Sequence, residues 1–297
     1  MRSKFIIYLV EGLSRLPLIA VQRLGALLGW FFYRIPNREK AVARININLC
    51  FPELNTPQRE RLLRQCLIEN AKTLLEMPRI WRGDATGMVE QMQLGDGADL
   101  PQLALKQNRG VIIAAPHLGA WEVGVHYLAR LAPATILYRP PREAVMEKTI
   151  LEGRSSGGAR MVPTTAAGVK ALYEALHRKE LVAILPDQQP RHVGKSAGVF
   201  APFFKVPALT MVLVSRLAKR TGAVVLYTYV ERLPGARGYR MHFLPAPDRV
   251  NDPDPVIAAG ALNQGVEACV RRCPQQYQWS YRRFSVRPHG ARSPYKG

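Results

Sequence analysis

From residue 110 onward the chain repeats one pattern: a short apolar run, a glycine or proline stop, then a longer amphipathic stretch. The runs are "GVIIAAP" (110–116), "ATILY" (134–138), "LVAILP" (181–186) and "GAVVLYTYV" (222–230). They are too short for helices and rich in β-branched residues, so they read as strands, and the continuous ones as strands buried on both faces. Between them the spacing predicts helices over 120–131, about 142–156, 165–179 and 209–221. Val169, Leu172 and Leu176 mark one face of the third, and Gly222 follows a basic last turn in the fourth. Strands alternating with helices demand an α/β fold, a central sheet flanked by helices. "YRMHFLPAP" (239–247) and "YQWSYRRF" (277–284) are expected to supply late strands.

The first hundred residues follow a different pattern. In "FPELNTPQRERLLRQCLIENAKTLLEMPRIW" (51–81), Thr56 reads as an N-cap with Pro57 at the first helical position. Leu62, Leu63, Cys66, Leu67, Ala71 and Leu74 then form an apolar stripe. Residues 36–100 are therefore a helical lead-in to an α/β core over 105–290. Ahead of them lies "FIIYLVEGLSRLPLIAVQRLGALLGWFFYRIP" (5–36), interrupted by Glu11, Arg15 and Arg23. No uncharged run reaches the roughly 18 residues a spanning helix needs. The apolar run 5–10 is short for a cleavable signal and no small-residue site follows. The expectation for 1–35 is an apolar helical membrane-anchoring region, a hairpin or interfacial helix broken near Pro17. Trp30, Phe31, Phe32, Tyr33 and Arg34 would sit at headgroup level. The competing reading is a helix buried in an ordinary core.

Lys and Arg total 42 against 22 Asp and Glu, a net charge of +20. Such a chain is attracted to something anionic: nucleic acid, acidic lipid, phosphorylated substrate or an acidic carrier protein. The hydrophobic fraction of 47% is globular, not disordered. Cys50, Cys66, Cys269 and Cys273 have neither zinc-site nor disulfide-framework spacing, which predicts no metal and a reducing compartment. No RNP motif, zinc finger or helix-turn-helix is legible, so no nucleic acid is expected as partner.

The segment "VIIAAPHLGAWEVG" (111–124) delivers His117 at the carboxyl end of a buried strand, where open α/β sheets place their sites. Gly119 permits a tight turn and Glu122 follows in the first turns of the next helix. On one continuous helix, five steps of about 100° would put the two on different faces. With His117 on the turn, Glu122 can reach back to one ring nitrogen, fix the tautomer and leave the other as a base. A core histidine beside an exposed glutamate is the alternative. There is no G-x-S-x-G elbow, so the base would activate a bound hydroxyl directly. Of the other histidines, His126 reads as core or surface, His177 as solvated, and His192 lies in a glycine-containing loop.

"HLGAWE" (117–122) resembles the H-x4-D/E motif of the glycerolipid acyltransferase superfamily. "INLCFPEL" (47–54), "YRPP" (138–141) with Arg154, "LPDQQP" (185–190) and "GVFAPFFKVPALTMVLVSRLAKRTGAVVL" (198–226) follow in order. Together they resemble the bacterial late acyltransferases of lipid A biosynthesis, the lauroyl/myristoyl transferase group, across nearly the whole chain. The sequence departs at Arg142 and Glu143, where an asparagine is common, and at Lys205, expected to alter an acyl or headgroup pocket.

The resemblance implies an α/β fold with a central mixed sheet, and a catalytic domain over 36–297 facing the cytoplasm at the inner membrane. It implies transfer of a fatty acyl chain from an acyl carrier protein thioester to a hydroxyl of a lipid A precursor, with no cofactor and no metal. His117 would be general base and Glu122 its orienting carboxylate. Arg154 resembles a substrate-binding arginine, and Arg139 is placed similarly. Asp187, at another strand's carboxyl end, would position Arg154 or His117. The oxyanion would be held by backbone N–H groups around Gly119 or by a cationic side chain. The basic surface would serve lipid phosphates, anionic membrane lipids and the carrier protein. A sibling enzyme acylating a lysophospholipid, ornithine lipid or glycolipid is the alternative, and a non-catalytic membrane-surface protein a more distant one.

Overall fold

The computed structural model describes residues 2–141, 144–190, 193–194 and 197–296. The helical lead-in comprises α1 (Arg2–Ser14), α2 (Leu18–Arg34), α3 (Arg38–Cys50), α4 (Thr56–Arg82) and α5 (Ala85–Glu90). Then come β1 (Gln93–Leu94), α6 (Leu100–Lys106), β2 (Val111–Ala114), α7 (Trp121–Leu131), β3 (Ala134–Tyr138), α8 (Ala144–Ser155), β4 (Arg160–Pro163), α9 (Ala166–His177) and β5 (Leu181–Ile184). The chain finishes with β6 (Gly198–Phe203), β7 (Val206–Met211), α10 (Leu213–Thr221), β8 (Val224–Arg232), β9 (Tyr239–Pro245) and α11 (Pro255–Arg272).

Seven strands form one sheet in the order β1-β9-β8-β2-β5-β3-β4. All neighbours are parallel except β8 and β9, so the central sheet is mixed, as expected. The apolar runs alternate between two cores. Ile112, Ala114, Val182 and Ile184 pack on the side of α9, α10 and α11. Val111, Ile113, Leu181 and Ala183 pack on the opposite side with Val123 and Leu128 of α7. Every residue of β2 and β5 is buried, which is why these runs show no alternation in the sequence. Each such Ile, Leu or Val contributes roughly 1.5–3 kcal/mol on burial.

Two boundaries and one stripe position differ from expectation. The N-cap of α4 is Asn55, not Thr56. Asn55 and Gln58 form a capping box in which each side chain accepts the other's backbone N–H. Leu74, predicted on the apolar stripe, faces outward. The helix predicted from 209 starts at Leu213, because 198–211 form the β6–β7 hairpin, with positive φ at both Phe204 and Lys205 in its turn. Lys205 is exposed on that turn and is not among the residues lining the large cavity at the strand ends, so its expected effect on that pocket does not follow.

"YQWSYRRF" is not a strand either. Its backbone is consumed elsewhere: the Asn46 amide donates to the Trp279 and Tyr281 carbonyls, and the Gln278 N–H donates to the His117 carbonyl. The segment laces the loop after β2 rather than extending a ladder.

At the N-terminus the helix does break at Pro17, which caps α2. One face of α2 lies on α4 with its backbone almost in contact. A Cβ at Gly25 would stand 2.6 Å from Lys72 Cα, and one at Gly29 only 2.4 Å from Ile68 Cα. The opposite face leaves Leu24, Leu27, Trp30 and Phe31 exposed, with the Arg34 guanidinium 4.9 Å over the Trp30 ring. Among the described residues no single helix is long and apolar enough to cross a membrane. Only α2 and α3 taken together, bent by 80°, reach that length and composition.

Candidate active site

Two strand ends have the same design. "VIIAAPH" and "LVAILPD" each run four core residues, one small or apolar residue, a proline, then a polar residue. β2 and β5 are parallel neighbours with Ala114 opposite Ile184. Equal steps beyond that register bring His117 and Asp187 together. Asp187 Oδ1 lies 2.8 Å from His117 Nδ1, and Oδ2 accepts the His117 backbone N–H at 3.0 Å. Burial alone would raise the Asp187 carboxyl. The imidazole and the N–H donors beside it outweigh this and hold it below the ordinary carboxylate range. The carboxylate accepts, so Nδ1 donates; in the neutral ring Nε2 then carries the lone pair, and it lies 3.2 Å from the Gln188 side-chain nitrogen.

Nε2 faces a cavity of about 740 Å³ at the carboxyl ends of the strands. His117, Trp121, Arg154 and Gln188 line its polar part, and Val125, Leu128, Ile136, Val169 and Leu213 its apolar part. This is where doubly wound sheets leave room for ligands. Asp187 is not among the residues that line the cavity; it is buried, and its carboxylate meets His117, one of the two residues it was expected to position.

Glu122 does not take the expected place. It is buried, but its carboxylate accepts from Arg154 through both Nε (2.9 Å) and a terminal nitrogen, and from Trp81 Nε1 at 3.1 Å. Burial would raise this carboxyl as well, and the Arg154 guanidinium overrides it, so its pKa lies below the usual value. Glu122 thus ties α7 to α8 and α4. The approach is close: a Cβ at Gly153 of α8 would stand 2.6 Å from Trp81 Cα. Arg154 lines the cavity with its charge already matched. Arg139 also lines the cavity, from an exposed position just beyond β3.

Gly119 is required for shape. Its φ is +66°, and a Cβ there would fall 1.9 Å from the Val230 carbonyl. The Gly119 N–H, expected to serve an oxyanion, donates instead to the Gln276 carbonyl at 3.0 Å.

The whole chain can now be set beside known proteins. Residues 3–285 match the family described as bacterial lipid A biosynthesis acyltransferase. The chain belongs to that family. Among similar proteins are the lipid A biosynthesis palmitoleoyltransferase of Escherichia coli K12, 28% identical over 95% of this chain and 90% of its own length. The lauroyltransferase of the same organism is 27% identical over the same shares, and the myristoyltransferase 23% identical over 91% and 83%. The protein is an acyltransferase.

Several residues of this acyltransferase site were not legible as such. Trp81 and Gln188 carry no motif by themselves. Arg232 is buried at the end of β8, where Glu76 accepts from its Nε at 2.8 Å and its terminal nitrogen at 2.7 Å, and Glu69 accepts at 2.9 Å. Glu76 also accepts from Gln22 of α2 at 2.8 Å, and Thr73 beside it donates to the Gly119 carbonyl at 3.3 Å. A buried polar network thus runs from the N-terminal helices to the His117 loop. One signal for the His117–Asp187 pair was available: the repeated apolar–proline–polar ending of the two strands.

Of the remaining histidines, His126 is buried and burial pushes its pKa down; its Nε2 has no partner. His177 is exposed at the end of α9. His192, Arg142 and Glu143 lie outside the described residues.

Proposed function

We propose that this acyltransferase moves a fatty acyl chain from an acyl carrier protein thioester to a hydroxyl of a lipid A precursor. The observation that carries the reading is the His117–Asp187 pair, which leaves Nε2 on the side of a cavity large and apolar enough for an acyl chain. Support for the acceptor comes from the family and from relatives named as lipid A lauroyl-, myristoyl- and palmitoleoyltransferases.

The acceptor hydroxyl donates its hydrogen bond to His117 Nε2, which takes the proton as the oxygen attacks the thioester carbonyl. The imidazolium that forms is stabilised by Asp187, which is ionised and fixed by two contacts. Collapse of the tetrahedral intermediate breaks the C–S bond, and His117 returns the proton to the leaving thiolate. Asp187 is thus the orienting carboxylate in place of Glu122. The Glu122–Arg154 pair shapes the cavity wall between α7 and α8. Arg139, at the exposed side, is placed to meet an anionic headgroup. The exposed apolar face of α2, with Arg23 and Arg34 alongside, suits an anionic inner-membrane surface. The net charge of +20 suits that surface and an acidic carrier protein.

Mass spectrometry of lipid A from cells lacking the gene tests this. The expected result is loss of one secondary acyl chain, restored by the wild-type gene and not by His117→Ala. Unchanged lipid A, with a change instead in a lysophospholipid or ornithine lipid, would assign the enzyme to another acceptor.

A further inference from the structure

An acyl transfer needs a donor for the charge that develops on the carbonyl oxygen, and the loop that carries His117 has none to give. The His117 N–H is held by Asp187 and the Leu118 N–H by the Pro116 carbonyl. The Gly119 N–H is held by the Gln276 carbonyl and the Ala120 N–H by the Val230 carbonyl. Among the described residues, Arg154, which lines the cavity, is also engaged, since it gives Nε and a terminal nitrogen to Glu122. Arg139 stands on the exposed side.

Gln188 differs. It follows Asp187 directly, lines the cavity, and its side-chain nitrogen is 3.2 Å from His117 Nε2. Its neighbour Gln189 is a useful contrast. The Gln189 amide donates to the Arg283 carbonyl at 2.8 Å and accepts from Ser285 Oγ at 2.6 Å, so it is fixed to the chain. The contact of the Gln188 amide is with the atom that must accept the substrate's proton. An acceptor hydroxyl that donates to Nε2 therefore displaces the amide. In an apolar cavity an amide N–H without a partner is costly, and the carbonyl oxygen of the attacked thioester lies within a bond or two of the hydroxyl oxygen.

We propose that the Gln188 amide, freed from His117 Nε2 by the acceptor hydroxyl, binds the thioester carbonyl oxygen and the oxyanion that forms on it. Gln188 is then a catalytic residue. In the empty site it caps the base, and in the reacting site it stabilises the intermediate. This inference rests on the acyl-transfer reading.

The test is steady-state kinetics of Gln188→Ala and the isosteric Gln188→Glu in the full-length protein. An acyl carrier protein thioester and a hydroxylated lipid acceptor serve as substrates, and thermal unfolding checks the fold. Loss of a side-chain oxyanion donor costs about 10²–10³ in kcat. Gln188→Ala should show that loss with the donor KM little changed and the acid limb of the pH–rate profile where wild type has it. Gln188→Glu, which places a carboxylate near the oxyanion, should be at least as impaired, and it decides the matter if the alanine variant does not fold. A shifted acid limb with an undiminished plateau would mean that the amide only caps His117. Unimpaired variants of an active enzyme would give the oxyanion to the Trp121 and Glu122 amides in the first turn of α7. Either result overturns this inference alone. A wild-type protein that acylates no lipid hydroxyl overturns the functional reading and the inference with it.

Discussion

His117 Nδ1 and Asp187 Oδ1 are 2.8 Å apart although 70 residues separate them in the chain. The parallel register of β2 and β5 makes this contact, and the Asp187 carboxylate secures it twice, through the ring and through the backbone. A rigid, buried carboxylate of this kind sets the imidazole tautomer before any substrate arrives.

The Glu122–Arg154 pair should behave as a buried ion pair. Glu122→Gln or Arg154→Leu alone leaves a buried charge without its partner and should cost about 3–5 kcal/mol in unfolding free energy. The double replacement should cost less than the sum of the two. Chemical denaturation of the three variants checks this. Additive losses would mean that the two charges are not coupled.

Arg154→Gln should reduce transfer to phosphorylated and dephosphorylated acceptors by the same factor, because its guanidinium is spent on Glu122. Side-by-side kcat/KM values decide. Selective loss on the phosphorylated acceptor would restore Arg154 to headgroup binding.

Gly119→Ala should fail to fold stably. Positive φ for a side-chain-bearing residue costs about 1–3 kcal/mol, and the added Cβ meets the Val230 carbonyl at 1.9 Å. A drop in Tm together with lost activity is expected. A variant with wild-type Tm would show that the loop can shift.

Acid should destabilise the protein in two stages. Buried His126 has its pKa below the ordinary 6.5, so an unfolded chain binds a proton there that the folded one refuses. Stability is full above that value and declines as pH falls from it toward the lower folded pKa. Asp187 and Glu122 are also depressed, from ordinary values of 3.8 and 4.5, so their contribution is lost at still lower pH. Urea melts between pH 7.5 and 3 report both stages. His126→Gln should remove the first stage, and an unchanged profile would count against it.

The sequence made the layers of this fold legible because the strands are short, apolar and separated by helical stripes. It did not show the β6–β7 hairpin, since "FFKVPALTM" has no glycine or asparagine at the turn; Phe204 and Lys205 adopt positive φ there with no chemical signal. His117 was found because a buried strand ends on it. The sequence put Glu122 first as its partner, being near in the chain, and left Asp187 open between Arg154 and His117; the ring contact in the fold is with Asp187, which is near in space. Strand order decides between them, and one sequence does not reveal that β2 lies beside β5. Gln188, Trp81 and Arg232 were missed because their roles come from long-range contacts.

The exposed face of α2 should govern membrane contact. Replacing Leu27, Trp30 and Phe31 with serine removes apolar surface that is largely exposed and lies outside the buried core, so the fold should survive. Flotation with vesicles containing anionic lipid should show the variant released at a salt concentration where wild type stays bound. Equal binding would place the contact elsewhere.

The central claim is that Asp187, not Glu122, works with His117 as one unit. The direct measurement is a double-mutant cycle on kcat/KM for acyl transfer. Asp187→Asn and Glu122→Gln are each made in the wild-type and His117→Ala backgrounds, in protein verified as folded. A positioned general base typically contributes about 10²–10⁴-fold. Asp187→Asn should therefore cost a large factor in wild type and almost nothing further when His117 is absent. Glu122→Gln should multiply with His117→Ala. If instead Asp187→Asn multiplies and Glu122→Gln is silent in the His117→Ala background, the glutamate orients the base and Asp187 does not.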